Sequence, residues 1–214
     1  MDSITQIVLG AAVGETILGK KIGRRAMVWG AVGGTIPDLD ILLDGFMSEA
    51  ESLVAHRGFS HSLLFACLGA LVFGWLVYQL YKSPYYKWIS FIGRSLISLA
   101  IIVFLGYSGS KNANLFLIIA AVVLAIISFV RLKKEYLNKD IYQSEANLKD
   151  WILLFFMAFV THVLLDCFTM YGTQVFAPFS DYRVAFSSIS VADPLYTLPF
   201  IICLAVAACF PKNT

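Results

Sequence analysis

Residues 151–171 read WILLFFMAFVTHVLLDCFTMY. A run this long and this apolar crosses a bilayer as one helix, since a span needs about 20 such residues. Two positions break its character. His162 and Asp166 stand four apart, so a helix carries them on one face about one turn from each other. Ionisable side chains at membrane depth are expensive and mark functional sites. The segment therefore sets the fold, a helix in lipid, and raises a chemical question about what an imidazole and a carboxylate do there.

Outward from this segment the apolar pattern repeats at roughly 4–19, 26–43, 62–81, 89–107, 112–131 and 194–210. With 59% hydrophobic and 14% charged residues in 214, and a mean hydropathy of +0.77, the chain has more apolar surface than a soluble core of its size hides. The expectation is an all-α, polytopic transmembrane helix bundle of about seven hydrophobic segments. The second segment contains GGTIPDLD, residues 33–40, where Pro37 pushes Ile36 away from helical geometry and predicts a broken second helix. Broken helices survive at membrane depth where they line a cavity. Residues 132–150 mix both charge signs without a long apolar face and read as a polar connector within one integral membrane domain, 1–214. Gly10 and Gly14, spaced as G-x-x-x-G, suit close helix packing.

The net charge of +2 gives no reason to expect nucleic acid as a partner. Cys67, Cys167, Cys203 and Cys209 lie in apolar segments without a C-x-x-C pair, which points to core packing rather than disulfides or a thiolate metal site. The N-terminal segment lacks a basic region before its apolar stretch and is expected to be retained rather than cleaved.

Cytoplasmic loops are enriched in Lys and Arg. Lys20, Lys21, Arg24 and Arg25, then Lys82 and Lys87, then Arg131, Lys133 and Lys134 put three turns inside without conflict under seven crossings. On that map Asp38 and Asp40 close the second segment at its outer end. His56 and His61 of HRGFSHSL, residues 56–63, follow in the next outer loop, and His162 and Asp166 lie in the outer half of the sixth segment. All three histidines of the chain thus gather at one face with three carboxylates. This mixed nitrogen and oxygen set suits zinc, with manganese the alternative, and six ligands suffice for one ion or two.

The stretches MDSITQIVLGAAVGE, GTIPDLD, HRGFSHSL and THVLLDCFTMYGTQVFAPFS together resemble the bacterial membrane-bound metal-dependent hydrolases, also labelled LexA-binding, inner-membrane-associated hydrolases. That family is grouped with the zinc-dependent phospholipases C. The resemblance covers most of the chain outside roughly 83–150. It implies metal ligands at Asp38, His56, His61, His162 and Asp166, with Asp40 a ligand or its supporting partner. Many members carry a histidine near the position of Gln6, where glutamine is a poorer zinc ligand.

These readings converge on a metal-dependent hydrolase of the bacterial inner membrane, multi-pass, with its site on the extracytoplasmic side. Its expected substrate is a phosphoester of a membrane lipid or lipid-linked molecule. Asp40 is the candidate general base or a residue that orients the ligands, and Arg57 the candidate phosphate clamp, with contact to lipid headgroups its alternative. Ser60 and Ser62 read as helix-capping residues. The alternative is a metal-binding transporter or structural membrane protein without hydrolytic activity, and an adaptor for a cytoplasmic regulator ranks behind both.

Overall fold

The structure, a computed structural model, describes residues 2–40, 58–111, 114–137 and 144–209. Seven α-helices and no strand occur among these residues, which realises the expected all-helical architecture. They are α1 (Ser3–Ile22), α2 (Arg25–Thr35), α3 (Leu63–Lys82), α4 (Tyr86–Lys111), α5 (Leu115–Leu137), α6 (Leu148–Cys167) and α7 (Pro194–Cys209). Four, namely α3, α4, α5 through Lys133, and α6, are long and apolar enough to span a membrane. Among the described residues the other three helices fall short of that length or that apolarity. At 1.5 Å per residue, α2 with 11 residues reaches only about 16 Å and α7 with 16 residues about 24 Å. α1 is long enough, but Glu15, Lys20 and Lys21 dilute its apolar character.

The chain forms two compact units, residues 1–79 with 144–214, and residues 80–143. In the second, α4 and α5 pack side by side, and their apolar side chains, such as Ile97, Phe104 and Phe116, point outward. An outward apolar surface on both helices of a pair is what lipid contact requires.

The first unit holds the candidate site. Its α6 starts at a capping box in which Asn147 and Asp150 satisfy each other's backbone amides. One face of α6 forms the core: Trp151, Leu154, Phe155 and Phe159 are fully buried. Trp29 of α2 meets Trp151 edge-on at 6.1 Å, and Phe73 of α3 lies 6.0 Å from the rings of both Phe155 and Phe159. α1 packs against α2, α6 and α7.

The α1–α2 contact rests on small residues, as the G-x-x-x-G spacing predicts. A Cβ on Gly10 would strike the Gly30 carbonyl, and one on Gly14 the Ala26 carbonyl. The backbones touch directly, so any larger residue must separate the helices. Gly23, at φ 61°, makes the turn between them, a left-handed conformation that favours glycine.

α2 breaks where the sequence places the break, though not by the expected route. Ile36 keeps helical dihedrals, φ −55° and ψ −44°. The interruption comes from the missing proline N–H, which ends the helical hydrogen-bond ladder; residues 37–40 then tighten into a 3-10 turn closed by Leu39 N–H on the Ile36 carbonyl at 3.1 Å.

Candidate metal centre

Three elements bring the site together at one end of the first unit. The 3-10 turn after α2 carries Asp38 and Asp40. A second short turn, Phe59–His61, precedes α3, and the last turns of α6 carry His162 and Asp166. The opposite end of the same unit is marked by Lys21 of α1, whose ammonium pairs with Asp150 at the start of α6 at 2.6 Å. The acidic and histidine residues therefore lie away from the basic α1–α2 turn, as the sequence map requires.

Four side chains close into a ring of alternating nitrogen and oxygen. His61 Nε2 stands 3.3 Å from Asp38 Oδ1 and 3.4 Å from Asp166 Oδ2. His162 Nε2 stands 3.4 Å from Asp38 Oδ1 and 3.5 Å from Asp166 Oδ2. The four residues each offer a ligand atom, with all four atoms within 4.8 Å of one another. Zinc bound tetrahedrally at about 2.0–2.1 Å implies ligand-to-ligand edges of roughly 3.3–3.4 Å. The four nitrogen-to-oxygen edges around the ring, of the six a tetrahedron has, are already about that length.

Hydrogen bonds on the far side of each imidazole fix which nitrogen faces the ring centre. His162 Nδ1 donates to the Gly34 carbonyl at 2.8 Å, so Nε2 faces inward and, in the neutral tautomer, presents its lone pair there. Ser60 donates its hydroxyl proton to Asp40 Oδ2 at 2.8 Å. With that proton committed, Ser60 Oγ accepts from His61 Nδ1 at 3.0 Å, so in the neutral tautomer the His61 Nε2 lone pair also points inward. Burial pushes the His61 imidazole below its ordinary pKa and favours the neutral, ligating form. In the neutral tautomers two nitrogen lone pairs confront two carboxylates in a space where His61, His162 and Asp166 are at most 1% exposed. The repulsion of such an arrangement is relieved by a positive charge among the four atoms, whether a proton on an imidazole or a metal ion, and the donor set is one that could hold a metal.

Gln6 of α1 enters the same network. Its amide donates to Asp166 Oδ1 at 3.2 Å and to the His162 carbonyl at 3.3 Å, so it buttresses a carboxylate of the ring. Thr169 Oγ1 donates to the Asp166 carbonyl at 2.8 Å and fixes the end of α6. The Asp38 side chain, 17% exposed, is the most accessible of the four and marks the way in.

Among the sequence-derived candidates, Asp38, His61, His162 and Asp166 are brought together. Asp40 is placed beside them, with Oδ2 at 3.6 Å from His61 Nδ1, the ring nitrogen that does not face the cluster. His56 and Arg57 lie outside the described residues. Sequence reasoning assigned Ser60 to capping and missed its link between Asp40 and His61. The Gly34 carbonyl was also missed, because a backbone acceptor leaves no signal in residue type.

A family model described as YdjM inner membrane protein matches residues 1–108 and 114–213, nearly the whole chain. No curated protein and no solved structure matches it.

Proposed function

We propose, from the premise that the chain belongs to the YdjM inner membrane protein family, that it is a metal-dependent hydrolase acting on a phosphoester of a membrane lipid or lipid-linked molecule. The observation that carries this reading is the ring of Asp38, His61, His162 and Asp166, whose donor set suits zinc, or manganese as the alternative. An ion there supplies Lewis acidity, polarising a phosphoryl oxygen and acidifying water near neutral pH.

The chain's own residues do the rest. Gly34 and Ser60 hold the two imidazoles in the ligating tautomer, and such supporting partners are part of a metal site's affinity. Asp40, bonded to Ser60 and set against the outer nitrogen of His61, acts as a positioning residue in this scheme rather than as a general base. Arg57 keeps the role of phosphate clamp. The basic residues at 20–25 assign the opposite end of the unit to the cytoplasm, which puts the site on the extracytoplasmic side.

One observation favours a second reading. Four protein ligands is the usual count of a structural zinc site, whereas a catalytic one keeps a position open; a metal-binding structural or transport protein accounts for that count. Turnover separates the two. Metal-loaded protein in nanodiscs, assayed against phospholipids and lipid diphosphates, should release a phosphorylated product that His61→Ala does not release. Loaded protein with no turnover of either class would favour the binding role. A cysteine at Lys20, in a background without native cysteines, should react with an impermeant thiol reagent only after spheroplasts are opened. Labelling of intact spheroplasts would put the site on the other side.

A further inference from the structure

The connection from α6 to α7, residues 168–193, is held in place by its backbone while many of its aromatic side chains face outward, Phe186 leaning on Phe168 at 5.3 Å. Phe186 N–H donates to the Cys167 carbonyl at 2.7 Å and Ser188 N–H to the Phe168 carbonyl at 2.9 Å. Thr173 and Val184 pair across the loop as an isolated bridge. Gly172 turns the chain at φ 63°, where a Cβ would meet Val184. The loop is also fastened to the rest of the unit: Leu63 N–H at the head of α3 bonds to the Val175 carbonyl at 3.0 Å, and Asp2 N–H ahead of α1 bonds to the Val191 carbonyl at 2.8 Å.

On this fixed frame Tyr171, Phe176, Phe179, Tyr182 and Phe186 are 53–83% exposed. Aromatic side chains bury about 150–250 Å² each when covered, so five of them on one ordered loop form a surface that water does not favour. The loop grows directly out of α6 and is bonded to the head of α3, two helices apolar enough to span the bilayer. Lipid against those helices reaches the loop by continuity. Its only charged residues are Asp181, Arg183 and Asp193, which offer no basic patch for anionic headgroups, so recognition is through the interfacial, partly apolar layer where aromatic rings collect. We propose that this loop lies in the lipid leaflet at the level of the headgroup and upper acyl region. It thereby seats the end of α6, with His162 and Asp166, against the leaflet, so that a lipid headgroup approaches laterally. The proposal stands on the loop and the spanning helices and holds whether or not the ring carries a metal.

Spin labels at Phe179→Cys and, independently, Tyr182→Cys, in the full chain without native cysteines and in phosphatidylcholine nanodiscs, test it. Both positions are exposed, and neither substitution removes a core contact. Collision with oxygen should exceed collision with a water-soluble nickel chelate, as for a label at the outward-facing Ile97 of α4. A nickel-dominated response matching a label at Lys20 would overturn the proposal. So would spin–spin broadening relieved by dilution with unlabelled protein, which would make the loop a contact between two copies of the chain.

Discussion

The Nδ1 of His162 donates to the carbonyl of Gly34 at 2.8 Å, tying the last turns of α6 to the end of α2 and deciding which nitrogen faces Asp38 and Asp166. Gly34 also lies where any Cβ would strike the Gln6 carbonyl of α1. One position thus carries a close helix contact and the orientation of a ligand.

Gly34→Ala should therefore move the carbonyl away from His162 and weaken metal binding by about 10–100-fold, the usual effect of losing a supporting partner. Chelator competition on purified protein measures the affinity, and circular dichroism should show helix content unchanged. Unaltered affinity would leave the His162 tautomer to other groups.

Ser60→Ala should cost about 10-fold or more in metal affinity by breaking the link from Asp40 to His61. Ser60→Thr keeps the hydroxyl and should restore most of it. An equal loss in both variants would point to packing around the turn rather than to the hydrogen bond.

Stability should depend on the glycine seam far more than on the ion pair at the opposite end. Gly30→Ala forces a Cβ into the backbone of Gly10 and Gly14, and overpacking of this kind costs about 1–3 kcal/mol. Lys21→Ala breaks a 2.6 Å pair whose lysine side chain is 44% exposed, and exposed pairs contribute about 0–1 kcal/mol. Thermal unfolding in detergent should rank Gly30→Ala well below Lys21→Ala.

Much of this was legible in the sequence. The spacing of His162 and Asp166 on one apolar run, and the alternation of basic turns, bring α6, the α2 break and the turn with His61 to one end from residue type alone. The G-x-x-x-G spacing likewise gives the α1–α2 seam. The rest depends on tertiary contacts that residue type does not announce. Ser60 reads as a cap because its hydroxyl is local in sequence, yet its partner Asp40 is brought to it by the return of the chain. Gln6 reads as a ligand replaced, and the structure places it as a donor to Asp166. Ile36 shows why a proline rule predicts a break better than the dihedrals around it.

The central claim is that Asp38, His61, His162 and Asp166 hold a divalent cation. Elemental analysis of protein purified in detergent, after loading with zinc or manganese and removal of excess ion, tests it most directly. The account predicts at least about one ion per chain in the native protein, with loss of an ion in His162→Ala, whose Nε2 faces both carboxylates, while membrane insertion persists. Metal-free native protein after loading, or full occupancy retained by folded His162→Ala, would contradict it.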